Sequence, residues 1–99
     1  MIKNPVHPGT ILQEDVFKPL GLSMATAASR LGTSRSALSR IVNGRSRISA
    51  SLALRLEKAG VGEAQAWVNL QAQYDLATTQ LSPDEVVLPL WHGTPQSAS

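Results

Sequence analysis

Apolar residues recur along this chain with a helical period, and serine, glycine and proline cut the pattern into short pieces. Leu12, Val16 and Leu20 follow one another at four-residue steps, which predicts one apolar face on a first helix. Pro8 suits the opening position of that helix, where a missing N–H costs nothing. Glu14 and Asp15 fall on its polar side, and Pro19 and Gly21 end it. Ser23 is an N-cap for a second helix over about residues 24–31. Its run of alanines lets a neighbour approach closely, and Gly32 closes it where a positive φ is cheap. Ser34 caps a third helix over about residues 35–43, with Leu38 and Ile41 on one face and Ala37 near the junction with the second helix. Asn43-Gly44 ends it, and Arg45-Ser46-Arg47 forms a basic loop. Ser49 caps a fourth helix over about 50–59, with Leu52, Leu56 and Ala59 sharing a face. Gly60 and Gly62 interrupt the chain before a fifth and longest helix, about 64–80, striped by Trp67, Leu70, Tyr74 and Ala77. Ser82-Pro83 stops it. Beyond, Val86–Trp91 reads as a short extended segment that Pro89 restricts to an edge or a bulge. The composition of the last ten residues points to disorder.

The order of Ala28, Gly32, Leu38 and Ile41 is the spacing that packs two short helices across a tight turn. The prediction is an all-α, five-helix domain over residues 1–80, with a helix-turn-helix unit at about 23–44. A C-terminal tail, 81–99, is partly extended or disordered.

Composition narrows the possibilities. Ninety-nine residues make one domain, and 42% hydrophobic against 16% charged is not a disordered polyelectrolyte. Aromatics at 4% give little material for stacking single-stranded bases. The absence of cysteine excludes a disulfide scaffold, a thiolate zinc site and a cysteine nucleophile. No run of ~18 apolar residues is present and residues 1–8 lack a signal-peptide core, so a cytoplasmic protein without a membrane partner is expected. The net charge of +2 hides an asymmetry. Arg30, Arg35, Arg40, Arg45, Arg47 and Arg55 fall in a stretch that holds no acid, so one basic face on a near-neutral body suggests a polyanion.

The second helix of a helix-turn-helix enters the DNA major groove by its N-terminal part. Here that part presents Arg35, Ser36, Ser39 and Arg40 as candidates for base contacts. Arginine bonds guanine O6 and N7 in bidentate fashion, and serine donates or accepts while allowing close approach. Ser34 and Ser23, at helix starts where free N–H groups favour an anion, are candidates for phosphate contacts. Asn43, Arg45 and Arg47 follow the recognition helix and would position rather than read. Taken singly, such arginines are commonly a solvated face and such serines only caps; their combination on a helix-turn-helix favours DNA. No Gly-x-Ser-x-Gly elbow, phosphate-binding glycine loop or paired-carboxylate spacing occurs, so no enzyme and no cofactor is expected. His7 and His92 lie near opposite ends without a third close ligand, which argues against a metal; His7 reads as a helix-start residue. Trp67 and Tyr74 read as core, with part of their stripe available to a dimer contact.

The stretch Gly32–Arg45, GTSRSALSRIVNGR, resembles the phage-repressor-like (Xre/Cro, lambda-repressor-like) helix-turn-helix family over residues 22–59. In that family the positions matching Arg35, Ser36 and Arg40 read bases, and the Asn-Gly-basic segment touches phosphates. The flanks narrow the resemblance. His7-Pro8-Gly9 with Ile11-Leu12, then Pro19-Leu20-Gly21-Leu22-Ser23, is similar to the opening of HigA-type antitoxins. Leu54-Arg55-Leu56 and Trp67–Leu76 are similar to their closing part. The resemblance implies a homodimer on a palindromic operator in its own promoter. It also implies a partner toxin of the HigB type, a small ribosome-dependent mRNA endonuclease. Met24–Ala28 is poorer in polar residues than the pattern, the tail after residue 80 matches nothing, and no toxin-binding residue carries over. The alternative is a stand-alone Xre-family regulator without a toxin. A ligand sensor is disfavoured by the lack of a second lobe. The toxin could be held by the stripe, the first helix or Val86–Trp91, and the dimer by the fifth helix or the tail.

Overall fold

A computed structural model describes residues 5–91. Five helices appear in the predicted order, and no strand occurs among the described residues. Helix α1 begins at Pro8–Ile11 and continues through a π-helical turn over Leu12–Phe17. Then come α2 (Met24–Leu31), α3 (Arg35–Val42), α4 (Ala50–Lys58) and α5 (Ala64–Thr78).

The helix starts follow local chemistry. Ser23, Ser34 and Ser49 each sit in extended backbone, and each hydroxyl oxygen accepts the N–H three residues on. That satisfies one of the orphan donors at each helix start and is worth ~1 kcal/mol apiece. At α1 the cap is His7, whose Nδ1 accepts the Gly9 N–H at 2.9 Å, with Pro8 at the first helical position. Helix α2 ends on Gly32 at φ +72°, and Thr33 N–H donates back to the Ala28 carbonyl. This left-handed closure is what a glycine permits without strain. Arg55 reinforces it, since its Nη1 donates to the carbonyls of Leu31 and Gly32 at 3.0 and 3.1 Å.

Helix α2 packs on α3, α1 on α3 and α5, and α4 on α5 and α2. The side chains they bury include Leu12, Phe17, Leu31, Leu38, Leu56 and Trp67. Ala27 and Ala28 are buried on α2, as a close helix pair requires. Trp67 enters the core with its indole N–H donating to the Val61 carbonyl at 2.8 Å.

Several sequence expectations are corrected. Leu20 does not extend the Leu12–Val16 face; it is 64% exposed. The cause is the π turn, in which Lys18 N–H reaches back to the Gln13 carbonyl. That pattern places residues five apart above each other, so Phe17 rather than Leu20 joins Leu12 in the core. Ala59 and Ala77 are exposed, because α4 ends at Lys58 and the outer end of α5 has outrun its neighbours; Ala53 is buried instead. Ala37 is also exposed rather than buried at the junction with α2. Helix α5 ends at Thr78 rather than about 80, where Thr79 turns to extended backbone well before Pro83. Val86–Trp91 pairs with no sheet edge among the described residues, and Val86, Val87, Leu88 and Leu90 are strongly exposed. Among the described residues no helix is long and apolar enough to cross a membrane. His92 and the rest of the tail lie outside the described residues.

Candidate nucleic-acid interface

Helix α3 has two faces set by its sequence. At ~100° per residue, Arg35, Ser36, Ser39 and Arg40 share an arc of ~140°. Leu38 and Ile41 point the opposite way and are buried. Arg35, Ser36 and Arg40 are exposed, and Ser39 is half-buried. The inner pair is held by the first two helices, so the outer set is carried on a rigid element rather than on a loop. Ala37 is exposed as well, but at the flank of α3 between Arg40 and Ile41 rather than within that arc.

Gly9 sets how closely α1 lies against α3. It is buried, and a Cβ built on it would overlap the backbone carbonyl of Ile41. The backbone of α1 therefore rests directly on the far end of the candidate recognition helix.

The residues expected at phosphates differ in how they are engaged. Ser34 accepts the Ala37 N–H at 3.0 Å at the start of α3. Ser23 does the same for α2 and also donates to Thr26 Oγ1 at 3.0 Å, so its hydroxyl hydrogen is already used. Asn43 is turned back on its own helix: its Nδ2 donates to the Ser39 carbonyl at 2.9 Å. Arg45 is exposed. Arg47 makes an ion pair with Asp75 of α5 at 2.8 Å. Arg40 is steadied by a bond from its Nε to Ser46 Oγ at 3.2 Å, which ties the loop back to α3. Of the six arginines in the acid-free stretch, Arg55 is the one drawn into the frame, through its bonds to the end of α2.

Behind the loop sits a polar cluster that sequence reasoning passed over. Gln71, inside the stripe read as apolar, is 1% exposed, and its Oε1 accepts the Ile48 N–H at 2.8 Å. Its sequence signal was a polar residue four positions after Trp67, on the face that also carries Leu70 and Tyr74. His7 is also buried, edge-on to Tyr74 of α5 with ring centroids 4.8 Å apart. Burial pushes the His7 pKa below its usual 6.5, against the opposing pull of a hydrogen bond with the Ser46 backbone and of the Asp75 charge.

The His7 shift has a sign that can be checked. The neutral ring accepts from Gly9 N–H through Nδ1, and protonation would put a hydrogen on that acceptor. With the folded pKa below the unfolded one, the His7 contribution to stability is complete above about pH 6.5. It is lost as the pH falls through the folded value. The midpoint of thermal unfolding is expected to drop as the pH falls below about 6.5. In His7→Asn, which keeps a cap acceptor, that drop becomes smaller. An identical drop in both proteins, followed by circular dichroism, refutes the assignment.

Known proteins share the helix-turn-helix sequence and the fold. A family profile described as Helix-turn-helix matches residues 14–59. Virulence-associated protein I of Dichelobacter nodosus is 39% identical, the alignment covering 86% of this chain and 81% of that protein. Antitoxin HigA-1 of Vibrio cholerae is 29% identical over 97% of this chain and 93% of its own. Among solved structures, the Pseudomonas aeruginosa antitoxin HigA with the higBA promoter superposes with a TM-score of 0.73. It is 39% identical, covering 76% of this chain and 82% of that one.

Proposed function

The chain belongs to the helix-turn-helix family of HigA-type antitoxins, and from that premise we propose that it is an antitoxin and transcriptional autorepressor. It binds a palindromic operator in its own promoter as a homodimer and neutralises a HigB-type mRNA endonuclease. The observation that carries the DNA part is α3 itself. A short helix seated by Leu38 and Ile41 turns Arg35, Ser36, Ser39 and Arg40 outward together, on a family member whose HigA relative was solved with promoter DNA. In this reading the four side chains contact base edges, Arg35 and Arg40 with the bidentate geometry that suits guanine. Ser23, Ser34, Asn43, Arg45 and Arg47 contact phosphates and fix the register. Asn43 already spends one Nδ2 hydrogen on the Ser39 carbonyl and holds the other near Ser39 Oγ at 3.4 Å, so Ser34 and Arg45 are the stronger members of that set. Residues 1–80 carry the DNA-binding domain and 81–99 a tail, and the protein acts in the cytoplasm, without metal or cofactor.

The test is fluorescence anisotropy on DNA from upstream of the gene against a scrambled duplex, over a salt series. The expected preference is ~10³-fold or more, with a salt slope that reports several released counterions. Equal, weak binding to both duplexes refutes operator recognition. For the toxin, the gene beside this one is expected to encode a small basic protein whose growth arrest this chain relieves and with which it co-purifies. A neighbour that does neither leaves the stand-alone regulator of the same family.

A further inference from the structure

The loop after α3 is held from behind by α5. Ile48 is buried, and its N–H is accepted by the Gln71 side chain rather than by another backbone group. A buried amide is costly unless both of its ends are bonded. Asp75, one turn further along α5, accepts from Gln71 Nε2 at 3.0 Å. That bond fixes which way the amide faces, because a carboxylate takes only the NH₂ end and so directs the oxygen at Ile48. The second Asp75 oxygen pairs with Arg47 Nη2 at 2.8 Å. The Arg47 side chain remains 68% exposed, so the rest of its guanidinium is open to solvent. An ion pair this exposed adds little to stability by itself. What it does is geometric: one carboxylate orients the amide that anchors the loop and the arginine that the loop carries.

We infer that Gln71 and Asp75 are positioning residues for DNA binding, fixing the loop through Ile48 and aiming Arg47 at a phosphate while touching no DNA themselves. The inference rests on the DNA-binding reading proposed above. It assigns the aiming of that phosphate contact to α5, which lies outside the helix-turn-helix unit.

The test measures operator affinity by fluorescence anisotropy over a salt series for the wild-type protein, Asp75→Asn, Arg47→Ala, the double variant and Gln71→Met. Helix content and thermal midpoint are followed in parallel. Arg47→Ala is expected to lower affinity and reduce the salt slope by about one contact. Asp75→Asn is expected to lose affinity several-fold with the same reduction in slope, and to add nothing to Arg47→Ala. Gln71→Met, while still folded, is expected to show the same flattened slope, which simple destabilisation would not produce. Should Gln71→Met fail to fold, the Asp75 cycle decides alone, because Asp75 lies at the surface end of the relay. Tighter binding and a steeper slope in Asp75→Asn would mean that Asp75 withholds Arg47 from phosphate, and would overturn the inference. An equal effect of Asp75→Asn with and without Arg47 would also overturn it. A wild-type protein that ignores the operator overturns the DNA reading itself; a binding wild type with an unchanged Asp75→Asn overturns only this inference.

Discussion

Gly9→Ala is expected to lower the midpoint of thermal unfolding by about 8–16 °C. A methyl group there has nowhere to go, since it would meet the Ile41 backbone carbonyl and come within 3.0 Å of His7 Nδ1. A flexible side chain can swing away from such a clash, but a helix carbonyl moves only with its helix. Helix α1 must therefore back off from α3, opening the contact made by Leu12 and disturbing the His7 cap. Overpacking of this kind costs ~3 kcal/mol at the upper end of its usual range. The ~1 kcal/mol by which alanine outranks glycine in a helix offsets part of it. For a domain of this size each kcal/mol shifts the midpoint by ~4–8 °C. Gly21→Ala is the matched control, because Gly21 has φ +67° but open space around it. It should show only the ~1–2 kcal/mol of left-handed backbone strain. A Gly9→Ala protein that melts with the wild type would mean that α1 does not seat the recognition helix closely.

The second large effect concerns what the protein reads. Arg35→Ala and Arg40→Ala are each expected to relax preference at one base pair per half-site, by ~1–3 kcal/mol or roughly 5- to 150-fold. Both side chains stand on the exposed face of α3, and truncating either leaves the buried Leu38 and Ile41 untouched. Stability should therefore change little while the binding profile flattens at one position. Arg40 is also tied to Ser46, so its removal should additionally loosen the loop. Arg45→Ala is the contrasting case, weakening all sequences alike and lowering the salt slope. The measurement is competition anisotropy on a panel of single-base operator variants. An Arg35→Ala protein with the wild-type profile would refute the docking of α3 in the groove.

What could be read from the sequence was whatever neighbouring residues decide. Ser23, Ser34 and Ser49 announce helix starts because a cap bonds only three residues ahead, and Gly32 announces an end by its own backbone freedom. The outer face of α3 was visible because its buried partners, Leu38 and Ile41, recur within one turn. Decisions made by distant residues were not legible. Gly9 looks like an ordinary helix-start glycine until Ile41 is brought against it. Gln71 looks like a break in an apolar stripe until the Ile48 N–H arrives. Arg55 counted as part of the basic stretch, yet the carbonyls at the end of α2 claim it. Leu20 leaves the core for another reason: the four-residue step assumes α-helical winding, and the π turn over Leu12–Phe17 departs from it.

Serine caps have a consequence for experiments in solution. Three of the five helices start on a neutral hydroxyl and a fourth on an uncharged imidazole, so no carboxylate is needed to hold those ends. The described residues hold two side-chain ion pairs, and both lie at the surface. Dissolved ions therefore find little inside the fold to screen. Thermal stability should stay nearly level across concentrations that change DNA affinity by orders of magnitude. Ionic strength then becomes a clean dial for this protein: turning it loosens the grip on a polyanion and leaves the hand intact.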